Sequence, residues 1–262
     1  MSYETLTLDF DGPLARLTFT EAERGNPMDG ALCRDINDAT TAIGNHADTR
    51  AVLITAKGRF FSVGGDIQAF MRDLDVLPQR IREWTATLHM ALARLARIDA
   101  PIVAAAHATA MGGSLALIAN CDLVYAARSA RFGSAYAQLG YSCDAGASFG
   151  LASRMGLARA RRFVLLAELI DSAEAERTGL VDFVVDDAEV LAQAEAAALK
   201  LAAGPTRAYG EIRRLFRKSL GQPFEAQLED EAQALIRLTA GHDAREGIVA
   251  FASKRKPVFK GQ

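Results

Sequence analysis

Apolar and polar residues alternate near the start of the chain in the way that half-buried strands require. Residues 5–10 and 14–20 both follow this period of two, and Asp11, Gly12 and Pro13 between them are typical turn residues. The pattern therefore predicts a hairpin of two strands at the start of the fold.

Two short runs further along are apolar at almost every position, which is the pattern of strands covered on both faces of a sheet. These runs are residues 51–56 and 102–106. Asp29 can cap a helix that runs to about Ile43, and residues 81–97 form an amphipathic helix before the second run. Strand, glycine-bearing loop and helix thus recur, so the sequence predicts an α/β fold with loops at one end of a sheet.

The second half of the chain has a different pattern. Strand signals nearly vanish beyond about residue 145, apart from residues 181–185. Helical patterns take over at residues 190–203, 206–220, 224–240 and 245–253. We therefore expect an α/β core over residues 1–200 and a helical lobe over residues 201–262, which would serve in subunit contacts.

The composition is that of an ordinary globular protein, with 50% hydrophobic and 24% charged residues. The formal net charge is −2 with both signs mixed, so the basic field that nucleic-acid binding needs is missing and a small-molecule partner is expected. Cys33, Cys121 and Cys143 are scattered and odd in number, which argues against a disulfide framework and against a zinc site. We expect a cytoplasmic protein without a metal site.

The most apolar stretch, residues 101–121, has the length of a membrane span but not the composition of one. It is rich in alanine, carries His107 and Asn120, and is interrupted by Gly112 and Gly113. We interpret it as a buried strand, a turn and a buried helix. The first residues are acidic and alternating, unlike a signal peptide, so neither export nor membrane attachment is expected.

Paired glycines occur in two successive strand-loop-helix units. Gly64 and Gly65 follow one apolar segment, and Gly112 and Gly113 follow the next buried strand. Each pair exposes backbone N–H groups at the start of a helix, where the helix dipole favours negative charge. One such pair more often marks a tight turn or close packing. Two pairs are more telling, because two converging N–H donors are what an oxyanion needs.

These loops belong to a longer set of motifs, which are residues 24–28, 61–67, 100–105, 112–113, 121–124, 130–132, 245–251 and 254–260. In their order and spacing the chain resembles the enoyl-CoA hydratase/isomerase (crotonase) family over nearly its whole length. The resemblance implies a spiral of repeated β-β-α units and a homotrimer or dimer of trimers. It also implies an acyl-CoA thioester substrate, with coenzyme A as part of that substrate and no permanently bound cofactor.

The resemblance also assigns site residues. It implies that the N–H groups of Gly65 and Gly113 form an oxyanion hole for the thioester enolate. The coenzyme would be cradled by Asn26, Met28, Val63, Gly64, Asp66, Ile67 and Gln68. Phe259 and Lys260, in the basic tail, would contact the ligand of a neighbouring subunit, although a solvated tail is an equally good interpretation of a basic terminus.

The general base decides which reaction such a site performs. Family members that hydrate a double bond resemble one another in two glutamates, and those positions fall here on Ala116 and Tyr136. Asp144 offers a carboxylate instead. An aspartate before small residues is by default a helix N-cap, but this one resembles the catalytic carboxylate of family isomerases that shift a double bond along an acyl-CoA. We therefore expect an isomerase that uses Asp144, in a pocket walled by Phe61, Met90, Met111, Phe132 and Tyr136.

His89 keeps a second hypothesis open. A lone histidine on a helix face is more often structural than catalytic. The family's 4-chlorobenzoyl-CoA dehalogenases nevertheless resemble this chain in having a histidine there, an aromatic residue at the Tyr136 position and an aspartate at the Asp144 position. However, Tyr136 stands where they have tryptophan, and Gly65 and Asp66 replace a bulky aromatic pair.

Four functions are therefore consistent with the sequence. An isomerase using Asp144 is the first. Nucleophilic or hydrolytic chemistry on an aryl- or acyl-CoA through Asp144 and His89 is the second. Hydration by a non-standard mechanism and non-catalytic binding of an acyl-CoA are the others.

Overall fold

Two sheets organise the computed structural model, which describes residues 2–262. The strands, in chain order, are β1 (Leu6–Asp11), β2 (Leu14–Phe19), β3 (Ala51–Ala56), β4 (Ile102–Ala106), β5 (Ala110–Met111), β6 (Leu123–Ala127), β7 (Arg131–Gly133), β8 (Leu169–Asp171) and β9 (Phe183–Val185). The larger sheet has the order β1-β2-β3-β4-β6-β9, and only β1 runs antiparallel to its neighbour. The smaller sheet has the order β5-β7-β8.

The helices surround these sheets and fill the C-terminal part of the chain. They are α1 (Gly30–Asn45), α2 (Ile67–Met71), α3 (Leu77–Leu95), α4 (Gly113–Ala119), α5 (Ala147–Met155), α6 (Leu157–Leu165), α7 (Ser172–Arg177), α8 (Val190–Ala202), α9 (Thr206–Ser219), α10 (Phe224–Thr239) and α11 (His242–Ala252). The predicted α/β class with a helical C-terminal region is confirmed.

The longest patterns predicted their elements best. The apolar runs became β3 and β4 with the predicted bounds, and Asp29 caps α1 by accepting the N–H groups of Ala31 and Leu32. Helix α3 begins at Leu77, earlier than the predicted residue 81, and Pro78 fits its first turn because a missing N–H costs nothing there. The smaller sheet was not predicted, since strands of two or three residues are too short to show a period.

The core explains why β3 and β4 are apolar at every position. Val52 and Ile54 of β3 face one side, where the strands pack on the cluster that includes α3. Leu53 and its neighbour Val103 of β4 face the other side, against the small residues of α8. Both faces of the sheet are therefore covered, as the period of two along a buried strand requires.

Two arginines fix α9 to the rest of the fold. Arg213 Nε donates to Asp122 Oδ1 at 2.9 Å, and its guanidinium also donates to the carbonyls of Leu95 and Ile98. The Arg213 side chain is only 8% exposed, so these charge-assisted bonds lie largely out of water. Arg214 adds an ion pair to Asp99 at 2.7 Å.

Candidate active site

The two glycine loops lie side by side at the carboxyl end of the sheet. Gly64 has a φ of +84°, and a Cβ there would sit 3.0 Å from the carbonyl oxygen of Met111. Gly112 has φ 55° and ψ −122°, a conformation open essentially to glycine alone. Positive φ explains why glycine occupies both positions, and at Gly64 the close approach of the Met111 carbonyl adds a second reason.

The N–H groups of Gly65 and Gly113 have no acceptor among residues 2–262. Gly113 is the first residue of α4, and first-turn N–H groups have no partner within their own helix. Both glycines border the same cavity. Two unsatisfied donors, one of them at a helix N-terminus, can together bind a negatively charged oxygen.

That cavity has a volume of about 720 Å³ and a mainly apolar wall. Met111 and Tyr136 line it as predicted. The prediction is wrong for Phe61 and Phe132, which are fully buried in the core, and for Met90, which is 62% exposed outside the cavity. Met90 follows Leu88 by two positions, which on a helix turns it about 200° away from the face that Leu88 presents.

Asp144 is the one carboxylate among the described residues that line this cavity. It does not cap a helix, because α5 begins after Gly146 and the Asp144 side chain makes no bond to its first turn. Its Oδ1 instead lies 2.6 Å from His89 Nε2. Ala145 and Gly146, which follow, both have positive φ, so the chain turns sharply just after Asp144.

The residues at the positions of the family's paired glutamates carry no negative charge. Ala116 is fully buried in α4. The Tyr136 hydroxyl donates to the Asp144 carbonyl at 3.4 Å. Burial and then the charge of Asp144 raise the pKa of Tyr136 well above its ordinary value. Tyr136 is therefore a neutral phenol at physiological pH.

The residues expected to cradle a coenzyme divide into two groups. Met28, Val63, Gly64 and Ile67 line the cavity. Asp66 and Gln68 lie outside its wall, and Gln68 is exposed.

Asp66 is held by the adjoining loops. Its carboxylate caps α2 by accepting the N–H of Ala69, and it also pairs with Arg24 at 2.7 Å. Arg24 pairs in turn with Asp29 at the start of α1, at 2.8 Å. One arginine thus ties the first turns of α1 and α2 together beside the cavity.

Asn26 also lies outside the cavity wall and braces the loop that leads to the glycines. Its Nδ2 donates to the carbonyls of Lys57, Phe60 and Phe61 at 2.9, 3.1 and 3.2 Å. It has a φ of +53°, a left-handed conformation that asparagine tolerates better than most residues. Through these bonds the side chain holds the loop that leads to the glycines in place.

Asn26→Ala is expected to lower the free energy of unfolding by about 1–3 kcal/mol, because it leaves buried carbonyls without a donor. Urea denaturation would measure the loss. Asn26→Gly is the matched control, since glycine accepts the positive φ but also lacks the amide. A native-like stability of Asn26→Gly would contradict the bracing role.

Phe259 and Lys260 do not reach the cavity within one chain. The Phe259 carbonyl accepts from Arg50, which directly precedes β3, and the Lys260 N–H donates to Asp243. Arg50 lies at the amino end of β3, whereas the glycine loops lie beyond the carboxyl ends of β3 and β4. Any contact of these two residues with a ligand would therefore have to be with that of another subunit.

Several cavity residues escaped the sequence interpretation. One set is on α3 with helical spacing, namely Leu77, Ile81, Trp84, Thr85 and Leu88. Phe70 and Tyr141, whose ring centroids are 6.2 Å apart, add aromatic surface. The α3 spacing was a usable signal, since positions three, four, seven and eight apart share one helix face.

No helix among residues 2–262 combines the length and the apolar character that crossing a membrane requires. No group of three or more histidine, cysteine or acidic side chains in this range is placed to hold a metal ion.

A family model, related sequences and a solved structure all match this chain to enoyl-CoA hydratase/isomerase proteins. The family model described as enoyl-CoA hydratase/isomerase matches residues 9–262. A protein of Rhodobacter capsulatus named probable enoyl-CoA hydratase is 33% identical over 262 residues, which is 100% of both chains. The crotonyl-CoA hydratase of Syntrophomonas wolfei is 29% identical and covers 99% of each chain. The crystal structure of an enoyl-CoA hydratase from Polaromonas has a TM-score of 0.91 at 27% identity, over 97% of this chain and 99% of that one.

Proposed function

The chain belongs to the enoyl-CoA hydratase/isomerase family, and within that family we propose that it is an enoyl-CoA double-bond isomerase. In this proposal the N–H groups of Gly65 and Gly113 stabilise the thioester enolate, and Asp144 moves the proton. Processing of an acyl-CoA thioester follows from the family. The choice of isomerisation rests on the residues of the cavity.

A single carboxylate beside two free N–H groups carries the proposal. Asp144 is the one acidic side chain that the described residues contribute to the cavity wall. The residue that follows it is close to the second donor, because a Cβ built on Gly113 would lie 4.0 Å from the Cβ of Ala145. A base and an oxyanion site can therefore act on one thioester.

The chemistry needs no further acid or base. The Gly65 and Gly113 N–H groups bind the thioester oxygen and so acidify the protons at C2 of a 3-enoyl-CoA. Asp144 takes a C2 proton, the electrons move to give a dienolate, and the same carboxyl group returns the proton at C4. The product is the 2-enoyl-CoA, with no gain or loss of atoms.

Hydration has less support in this cavity. Adding water across a double bond calls for groups that hold and polarise the water from two sides. Ala116 offers no polar group, and Tyr136 is a neutral phenol already bonded to the Asp144 carbonyl. The relatives named hydratases make hydration the activity to be measured alongside isomerisation.

The coenzyme belongs to the same proposal. Met28, Val63, Gly64 and Ile67 would contact it at the cavity wall, and Phe259 and Lys260 would contact the ligand of a neighbouring subunit in a homotrimer or dimer of trimers. Such an enzyme would work in the cytoplasm.

The test is turnover of a 3-enoyl-CoA in heavy water, followed by mass spectrometry and proton NMR. We expect the 2-enoyl-CoA product, with deuterium entering at C4 to the extent that the carboxyl proton exchanges. A protein that left 3-enoyl-CoA unchanged but formed 3-hydroxyacyl-CoA from 2-enoyl-CoA would be a hydratase, and the proposal would be wrong.

The pairing of His89 with Asp144 favours a second candidate, which is hydrolytic or nucleophilic chemistry on an aryl- or acyl-CoA. The 2.6 Å contact between Nε2 and Oδ1 places a possible water-activating base beside a possible carboxylate nucleophile. Attack by the Asp144 carboxylate on a thioester carbonyl would give an acyl anhydride and expel the CoA thiolate, whereas attack on a halogenated aryl ring would give an aryl ester and expel halide. In either case water deprotonated by His89 would hydrolyse the intermediate and restore the Asp144 carboxylate.

His89→Gln separates the two candidates. If the protein is an isomerase, the variant should keep its isomerase kcat within about tenfold, since glutamine retains a hydrogen-bond donor toward Asp144. Loss of thioester hydrolysis in this variant, measured as thiol release, would favour the second candidate. His46→Gln is the matched control, because His46 lies at the C-terminal end of α1 and bonds to Thr49.

A further inference from the structure

A second cavity lies on the other side of the Asp144–His89 pair. Its volume is about 300 Å³, and its wall includes His89, Ala145, Gly146 and Phe149. Asp144 lines the first cavity and its chain neighbours line the second, so both cavities adjoin the same turn of the chain, next to the proposed base. We call this second space the distal cavity.

The distal cavity is mainly aliphatic apart from one cationic group. Leu92 of α3 and Leu117 of α4 form part of the wall, and Arg217 of α9 lies at another part of it. Asn120 is also present, and its Nδ2 donates to the carbonyls of Ala116 and Gly146. The amide hydrogens of Asn120 are thereby engaged. Of the other two N–H-bearing side chains in the wall, His89 is paired with Asp144, which leaves Arg217 as the donor without a carboxylate partner.

Arg217 has no acidic partner among residues 2–262. Its guanidinium carbon lies 5.3 Å from the centre of the Phe149 ring, and its side chain is half-buried. Burial and the charge of nearby Arg213 lower the pKa of Arg217. Asp122 is the acidic group near it, but Asp122 already accepts from Arg213 at 2.7 Å and from the Ile102 N–H at 2.7 Å.

An uncompensated, partly desolvated cation is unfavourable unless an anion joins it. The rest of the wall would suit a methylene chain. With the thioester held at Gly65 and Gly113 and its C2 to C4 segment beside Asp144, the acyl chain beyond C4 would reach this space by passing the turn at residues 144–146, which borders both cavities.

We propose that the distal cavity binds the far end of the acyl group and that Arg217 pairs with a carboxylate there. The substrate class is then the mono-CoA thioester of an unsaturated dicarboxylic acid. This inference rests on the proposed function for its chemistry, but the binding site it describes can be tested without turnover.

The test uses pairs of saturated acyl-CoA esters, equal in chain length and ending in either a carboxylate or a methyl group. Calorimetric titration of the wild-type protein across a series of lengths should show tighter binding of the carboxylate member at one or more lengths. Arg217→Gln should weaken binding of that member by about 10- to 100-fold, as expected for a lost charge-assisted hydrogen bond, and leave the methyl member unchanged.

Two variants serve as controls. Arg217→Lys keeps the charge and should retain part of the preference. Arg161→Gln removes an exposed arginine of α6 and should change neither affinity.

Equal binding of the two esters at every length, or equal weakening of both by Arg217→Gln, would overturn the inference. Tight binding of the carboxylate ester without isomerisation of its 3-enoyl counterpart would sustain the distal site and refute the proposed function. Isomerisation of methyl-ended 3-enoyl-CoA esters alone, with no preference for binding the carboxylate ester, would support the proposed function and refute the distal site.

Discussion

Asp144→Asn is expected to lower kcat for 3-enoyl-CoA isomerisation by about 10²- to 10⁴-fold, the range that a positioned general base contributes. Asparagine has nearly the same shape and can still bond to His89, but it cannot accept a proton at pH 7. The described residues place no second carboxylate in the cavity wall, so no other carboxylate there can replace Asp144. Steady-state kinetics at saturating substrate would measure the loss.

The same variant should leave binding almost intact. The affinity for a saturated acyl-CoA should stay within a few-fold of the wild-type value, because the N–H groups of Gly65 and Gly113 remain. Asp66→Asn is a matched control, since Asp66 lies beside the cavity without lining it and serves α2 and Arg24. Wild-type turnover by Asp144→Asn would exclude Asp144 as the base.

Gly64→Ala should reduce kcat by about 10²- to 10³-fold, as the loss of one oxyanion donor does. The new Cβ would lie 3.0 Å from the Met111 carbonyl oxygen, and the φ of +84° suits alanine poorly. The loop must shift to relieve both the close contact and the unfavourable φ, and this shift would displace Gly65, which is the next residue. Its N–H would then no longer point with that of Gly113 at one oxygen.

Gly12→Ala separates this effect from a general loss of stability. Gly12 has a φ of +53° in the β1–β2 turn, but a Cβ there meets nothing within 4 Å. Both variants should lose about 1 kcal/mol of stability in a urea titration, because alanine resists a positive φ. Only Gly64→Ala should lose activity. An active Gly64→Ala enzyme would show that the Gly65 N–H is not needed.

The local pattern of apolar and polar residues was enough to predict two central strands and the start of the first helix. Strands β3 and β4 were predicted with their bounds because residues on both faces of a covered strand must be apolar, and no tertiary detail changes that requirement. Asp29 was predicted as a cap because its carboxylate bonds to N–H groups only two and three residues away. Interactions within one helical turn can be predicted from residues that are close together in the sequence.

The walls of the cavity could not be read in the same way. Phe61, Met90 and Phe132 lie elsewhere, while Trp84 and Tyr141 line the space. Which face of α3 meets the cavity depends on how the helix is rotated against the sheet, and that rotation is set by packing.

The sequence by itself identified the two glycine loops, because each glycine pair follows an apolar segment and precedes a helix, where a tight turn with positive φ favours glycine. It also supplied Asp144 and His89 as candidates. Only the tertiary structure decided that these two side chains meet at 2.6 Å although they are 55 positions apart. It likewise decided that Asn26 braces a loop and that Arg217 reaches a second cavity. The physical reason is the same in each case. A hydrogen bond or a buried charge between distant segments depends on the packed positions of whole elements, which no local pattern encodes.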